Sequence, residues 1–253
     1  MFPFDVVSEN CVLVAKTSET DDLWHLRYGH LNIKGLQLLG NRNMVVGLPK
    51  ISALRFCEGC VYGKQCRPSF PVGKAWRASN CLELIHADLC GPMSVESLGG
   101  SRYFLLFTDD YSRMSWVYFL KYKSEAFENF KKFKVFVEKQ SECQIKTLRT
   151  DRGGEFTSKE FDIFCEEHGI HRELTAPYTP EQNGVAERKN RTIVEMGRSM
   201  MNARAVPKRF WAEAVATAVY LLNISPTKAV YGRTPYEAWT GNKPKNPQVL
   251  KKQ

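Results

Sequence analysis

The chain has 253 residues, an ordinary globular apolar fraction of 43%, and a Lys plus Arg excess over Asp plus Glu of 36 − 27 = 9. That length holds one large or two modest domains, and the basic excess suits an anionic partner, nucleic acid first, with a merely solvated basic face as the alternative. No apolar run approaches the length of a membrane span, and Met1-Phe2-Pro3-Phe4-Asp5 lacks the basic lead and long apolar stretch of a secretory signal. The eight cysteines are therefore read as reduced, as core residues and metal ligands rather than disulfides.

Residues 1–20 read as a loose lead-in with a short strand over 11–15, and Met1 as an arbitrary start within a longer reading frame. Residues 21–75 carry a first chemical constellation. His25 and His30 stand as H-x4-H, and after a 26-residue spacer Cys57 and Cys60 stand as C-x2-C. Two imidazoles and two thiolates satisfy tetrahedral Zn²⁺, with Gly59 expected to permit the tight turn between the thiolates. Asn32 is expected to cap a helix carrying Ile33, Leu36 and Leu39. So small a segment has little core of its own, so zinc would supply folding energy. The competing reading is two core histidines and a stray C-x2-C. Cys66 reads as a bystander, and Arg67-Pro68-Ser69-Phe70-Pro71-Val72-Gly73-Lys74 as a linker.

Residues 76–205 read as strand, strand, strand, helix, strand, helix, strand, helix, a mixed sheet with helices on its faces. The strands are expected over 81–89, 103–108, 114–120, 143–150 and 171–175. Ser124 is expected to cap a helix with Phe127, Phe130, Phe133 and Val137 on one face, a stripe read as core. Ser158 is expected to cap a second helix, with Phe161, Phe164 and Cys165, ended by Gly169. A loop over 177–183 leads into a long helix with Val185, Ala186, Ile193, Val194, Met196 and Met200. Residues 206–253 read as a helical extension. Pro207 opens a helix with Phe210, Trp211, Ala214 and Val215, and Thr234-Pro235-Tyr236-Glu237 is a capping box. Lys243, Lys245, Lys251 and Lys252 form a basic tail.

Asp88 lies near the end of the first of these strands, Asp151 follows the fourth, and Glu187 sits in the long helix. Carboxylates that converge from strand ends and a helix repel unless a cation lies between them, and hard Mg²⁺ or Mn²⁺ ions take oxygen ligands. Taken singly, each acid reads equally well as a solvated or capping group, and Asp109, Asp110, Glu155 and Glu181 are nearby decoys. Asp109-Asp110 reads as a strand end and the turn before Arg113. His86 shares a strand face with Asp88, near metals or simply hydrogen-bonded. Arg149 shares the face of Asp151, where it could reach phosphate or pair with an acid. Arg188, Lys189 and Arg191 are candidate phosphate contacts, with a solvated helix face as the alternative.

Three phrases decide between these readings. His86-Ala87-Asp88-Leu89-Cys90-Gly91-Pro92, Asp151-Arg152-Gly153-Gly154-Glu155-Phe156 and Asn183-Gly184-Val185-Ala186-Glu187-Arg188, with 35 residues between Asp151 and Glu187, resemble integrases of copia-type long-terminal-repeat retrotransposons. The resemblance covers nearly the whole chain, and the His-His-Cys-Cys order resembles the zinc module that precedes the catalytic core in that family. It implies a ribonuclease-H-like fold and an Asp88, Asp151, Glu187 triad holding two Mg²⁺ or Mn²⁺. The implied reaction is transfer of element 3′-hydroxyl ends onto target DNA, or nicking when water attacks. It further implies double-stranded DNA as partner, a homo-oligomer, a cytoplasmic particle followed by nuclear residence, and a C-terminal DNA-binding and targeting region beyond 253. The rival functions are a catalytically silent remnant that binds zinc and nucleic acid, and a structural subunit whose core only dimerises.

Overall fold

The computed structural model describes residues 20–53, 57–63, 76–174 and 184–245. The expected lead-in strand at 11–15, Cys66 and the linker to residue 75, the loop over 177–183 with Glu181, and Lys251 and Lys252 lie outside these residues. Three short helices come first: α1 (Thr20–Arg27), α2 (Ile33–Asn41) and α3 (Glu58–Gly63). Asn32 caps α2 as expected, its carboxamide oxygen accepting the Gly35 N–H at 2.9 Å, and Leu36 and Leu39 on the inner face are fully buried.

The sheet has five strands, β1 (Ile85–Cys90), β2 (Tyr103–Asp109), β3 (Ser115–Leu120), β4 (Thr147–Thr150) and β5 (His171–Leu174), in the order β3-β2-β1-β4-β5. The first three form an antiparallel meander, and β4 and β5 add in parallel on the other side of β1. The parallel additions require crossovers, supplied by α4 (Ala126–Ser141) and α5 (Lys159–Glu167). β4 is half the length expected. Glu142 ends α4 in a left-handed conformation and the Ile145 N–H turns back to Glu138 Oε1 at 3.0 Å, so the residues before Thr147 serve the helix return.

Alternation divides each strand between two faces. Ile85, Ala87, Leu105 and Phe107 meet Phe130, Phe133 and Val137 of α4 and Phe161 and Cys165 of α5. Phe107 and Phe133 stack with centroids 4.1 Å apart and planes 6° from parallel. Phe133→Ala is expected to cost roughly 3–5 kcal/mol from lost burial and the cavity left behind, read as a lowered urea midpoint at unchanged m-value. Ser158 caps α5, accepting the Phe161 N–H at 3.2 Å. Ser124 does not cap α4. It lies inside a single 3₁₀ turn, Lys123–Glu125, that runs straight into α4 without a side-chain cap. The Glu125 carboxylate instead accepts the Lys121 N–H at 3.3 Å.

The opposite face carries Phe104 and Leu106 and is covered by α6 (Gly184–Ala203) and α7 (Trp211–Asn223). The same apolar cluster includes Trp24, Leu36 and Leu39 from the first helices and Tyr28 from the turn between them. One core thus draws on residues from three of the segments expected along the chain. A one-turn 3₁₀ segment, Lys208–Phe210, precedes α7, and α8 (Pro235–Thr240) closes the described chain. Thr234 caps α8 by accepting the Glu237 N–H at 3.1 Å, with Pro235 at its first helical position. Among the described residues no helix is long and apolar enough to cross a membrane.

Candidate metal centres

The first centre is built at the C-terminal end of α1. Gly29 and His30 adopt left-handed backbone angles, φ 59° and 63°, which fold His30 back beside His25. Their rings meet edge to face with centroids 5.0 Å apart. Cys57 precedes α3 and Cys60 lies in its first turn, the Cys60 N–H donating to the Cys57 carbonyl at 3.1 Å. One ligand atom from each of His25, His30, Cys57 and Cys60 lies within 4.8 Å of all the others. His30 Nδ1 is 3.2 Å from Cys57 Sγ and 3.6 Å from Cys60 Sγ, and His25 Nε2 is 3.4 Å from Cys60 Sγ. Tetrahedral zinc with ordinary bond lengths sets nitrogen and sulfur ligands about 3.6 Å apart, so the four side chains are compatible with a zinc ion.

A supporting contact not foreseen from sequence lies behind His25. Its Nδ1 is 2.8 Å from the Leu31 carbonyl, which directs a proton onto Nδ1 and leaves Nε2 as the ligand nitrogen. The part expected of Gly59 is corrected. It is helical, with no positive φ, and it lies against other groups. A Cβ added there would sit 3.0 Å from His30 Cε1 and 3.4 Å from both Ala203 Cβ and Ser199 O. The cysteines are spaced by a helical turn, and the glycine permits close approach.

The acids occupy the α6 face of the sheet. β1 and β4 run parallel with His86 opposite Arg149; two residues further on β1, Asp88 feels the charge of Asp151, which directly follows β4. Asp151 leaves the strand there, its Oδ1 accepting the Gly153 N–H at 3.0 Å. Glu187 is exposed in the first turn of α6. Asn190, three residues on and on the same helical face, donates its Nδ2 hydrogen to Asp88 Oδ2 at 2.7 Å. Burial first, then the negative charge of Asp151 and that of Glu187, push the Asp88 carboxyl up to about 7 against the opposing Asn190 hydrogen bond. The three acids are thus electrostatic neighbours, though among the described residues only the His/Cys group gathers its ligand atoms within 4.8 Å. Asn190 was not singled out in the sequence; its signal was the three-residue offset from Glu187.

The remaining candidates fall into place around this pair of centres. His86 is fully buried and its Nε2 lies 2.9 Å from Asp110 Oδ1. Asp110 also accepts from Arg113 at 3.0 Å and from the Ala78 N–H at 2.9 Å. Burial lowers the His86 pKa, while burial of Asp110 is outweighed by the His86 hydrogen bond and the Arg113 charge, which hold that carboxyl low. Asp109 accepts from Leu82 N–H and from the Ser112 N–H and hydroxyl, so both acids of this turn serve structure. Glu155 lies 4.0 Å from Lys123. Arg149 pairs with Glu173 at 2.6 Å. Arg188 and Arg191 are exposed, while Lys189 is partly buried, and burial together with the Arg113 charge lowers its ammonium to about 8.

Comparison with known proteins fits this architecture. Residues 1–65 match the GAG-pre-integrase domain family and residues 80–180 the integrase core domain family. The retrovirus-related Pol polyprotein from transposon TNT 1-94 of Nicotiana tabacum is 48% identical over 219 residues, 87% of this chain and 16% of that protein. The Pol polyprotein from transposon RE2 of Arabidopsis thaliana is 35% identical over 226 residues, 89% of this chain and 15% of that protein. The chain therefore spans about one-sixth of the length of these relatives. A chain of the simian T-cell lymphotropic virus intasome, solved in complex with PP2A regulatory subunit B56 gamma, superposes with a TM-score of 0.55. It is 17% identical, over 72% of this chain and 63% of that one, a likeness of fold alone: the ribonuclease-H-like sheet of integrase cores. With both domain families matched in order and close to half of the aligned residues shared with a transposon relative, the chain belongs to the gag-pre-integrase and integrase-core region of copia-type retrotransposon Pol polyproteins.

Proposed function

We propose that this region is a metal-dependent polynucleotidyl transferase that joins the 3′ ends of element DNA to target DNA. The observation that carries this reading is Asp88. It sits on the central strand, its carboxyl is raised by burial and by Asp151 and Glu187, and Asn190 orients one of its oxygens. Among the described residues no cationic side chain relieves the repulsion felt by Asp88, and such an all-oxygen donor set fits hard divalent cations. Mg²⁺ or Mn²⁺ bound there would activate the attacking hydroxyl and stabilise the leaving oxygen.

The chain's own residues then have distinct tasks. Asp88, Asp151 and Glu187 would hold the ions. Asn190 fixes the rotamer of Asp88. Arg188, Lys189 and Arg191 on α6 would receive backbone phosphates and hold the DNA across the acids. The His25, His30, Cys57 and Cys60 cluster would hold one structural zinc. Double-stranded DNA, a homo-oligomeric assembly and a nuclear site of action complete the proposal.

The test is joining of a duplex bearing the element's terminal sequence to a supercoiled plasmid in Mn²⁺. Joined product that disappears in Asp151→Asn and Glu187→Gln supports the assignment. DNA binding with no joining or nicking under any divalent ion would favour the silent, nucleic-acid-binding alternative. Binding itself should weaken steeply with salt, because each phosphate contact releases counterions. The double variant Arg188→Gln, Arg191→Gln should flatten the log–log salt slope by about 1.8, at roughly 0.9 per phosphate. A fluorescence-anisotropy titration that finds the parental slope would remove these two arginines from the interface.

A further inference from the structure

The zinc-compatible knot and the acids touch the same helix at opposite ends. α6 is unbroken from Gly184 to Ala203, with Glu187 in its first turn and Ser199 and Ala203 in its last two turns. From Glu187 to Ser199 the helix rises about 18 Å, at 1.5 Å per residue. At the far end, the two segments that carry the His/Cys ligands, the C-terminal end of α1 with its following turn and the start of α3, lie directly on it. A Cβ at Gly29 would sit 2.9 Å from Met196 Cε on α6 and 2.7 Å from Leu221 Cδ1 on α7. At Gly59 it would sit 3.4 Å from Ala203 Cβ and Ser199 O, and 3.0 Å from the His30 ring. Both glycines adjoin metal-ligating side chains: Gly29 precedes His30 and Gly59 precedes Cys60. Trp24 from α1 and Tyr28 from the turn that follows it share one buried cluster with Ile193 and Met196 of α6. Close contact leaves little slack between the knot and the helix, and packed interiors transmit displacement rather than absorb it.

We propose that the knot is the seat of α6, with Gly29 and Gly59 as positioning residues, so that zinc held by His25, His30, Cys57 and Cys60 fixes where Glu187 stands relative to Asp88. This rests on the acid reading above. Two metal-binding events that favour one placement of the same helix are coupled, and the coupling is reciprocal. Zinc at the knot then tightens divalent binding at the acids, with neither site sharing a ligand.

The full chain, zinc-saturated, is titrated with Mn²⁺ by electron paramagnetic resonance, alongside Gly59→Val and Gly40→Ala. Gly40 belongs to the same module, but among the described residues its added carbon would meet only Pro49 O, at 3.6 Å. Hydrogen exchange is measured in parallel on α6 amides from Ile193 to Ser199 and on β2 amides from Leu105 to Phe107. Gly59→Val is expected to keep one zinc per chain and parental β2 protection. It should exchange faster along α6 and bind Mn²⁺ about five-fold or more weakly, while Gly40→Ala matches the parent. If Gly59→Val loses zinc or β2 protection, Gly59→Ala supplies the same comparison at a smaller intrusion. Parental Mn²⁺ affinity and parental α6 exchange in a zinc-loaded Gly59 variant overturn the coupling. Failure of the acid reading has a different signature: the parent would bind Mn²⁺ no better than Asp151→Asn. In that event α6 exchange decides alone, faster in the Gly59 variant if the knot seats the helix and unchanged if it does not.

Discussion

Asp88→Asn is expected to abolish DNA joining and nicking while making the metal-free chain more stable. The two effects share one cause. Asp88 carries the charge that divalent ions would bind, and the folded chain holds that charge at a cost, because burial and the charges of Asp151 and Glu187 raise its carboxyl to about 7 from 3.8. Loss of a metal ligand should cost several kcal/mol of transition-state stabilisation, about a thousand-fold in rate. For stability, the folded state binds the Asp88 proton more tightly than the unfolded state. The associated stability is therefore fully present below about pH 4, declines as pH rises toward 7 and is lost above it. The shift sets a ceiling of about 4 kcal/mol at 1.36 kcal/mol per unit, and partial exposure discounts it to about 2 kcal/mol. Asparagine carries no charge, so the variant should hold its stability across this range. It also presents an amide to Asn190, whose Oδ1 is buried without a partner. Urea midpoints at pH 5 and pH 8, without divalent ions, measure this directly. A variant that is less stable than the parent at pH 8, or that keeps a tenth of its joining activity, contradicts the assignment.

Cys57→Ser is expected to release zinc and to destabilise the whole described fold in one step. Structural zinc contributes on the order of 10 kcal/mol to small zinc-dependent folds at neutral pH. Here the ligands sit on a core that also holds Phe104, Leu106, Ile193 and Trp211. Loss of the ion should therefore reach α6 and α7, at more than about 5 kcal/mol. The parent should carry one zinc per chain by elemental analysis and the variant almost none, with calorimetry showing a single transition at lower temperature. Equal zinc content in the two proteins would refute the ligand assignment. Two well-separated transitions in the variant would show that the knot and the sheet fold independently.

Local chemistry was legible in the sequence, and long-range placement only partly. Asn32, Ser158 and Thr234 act as caps because an N-cap is decided within three residues. The Phe130, Phe133 and Val137 stripe reads correctly because helical spacing fixes a face. Ser124 misled because a 3₁₀ turn precedes α4, and the first half of the strand expected over 143–150 was absorbed by the helix return to Glu138. His86 could be narrowed only to a metal-side or hydrogen-bonded role, since its partner Asp110, 24 residues away in sequence, is brought beside it only by the pairing of β1 with β2. Gly59 was read as a turn residue because sequence does not show that α6 passes over it. Asn190 was within reach, three residues from Glu187, but a neutral amide on a helix carries no signal until Asp88 is seen opposite it.

The acids themselves can be tested without any enzymatic assay. Crystals of the full chain soaked in Mn²⁺, with anomalous data collected at the manganese edge, locate the ions directly. Two peaks about 4 Å apart, bounded by the carboxylates of Asp88, Asp151 and Glu187, are the predicted result. Fully occupied manganese at Asp109 and Asp110, or no peak within coordinating distance of Asp88 at saturating Mn²⁺, would contradict it.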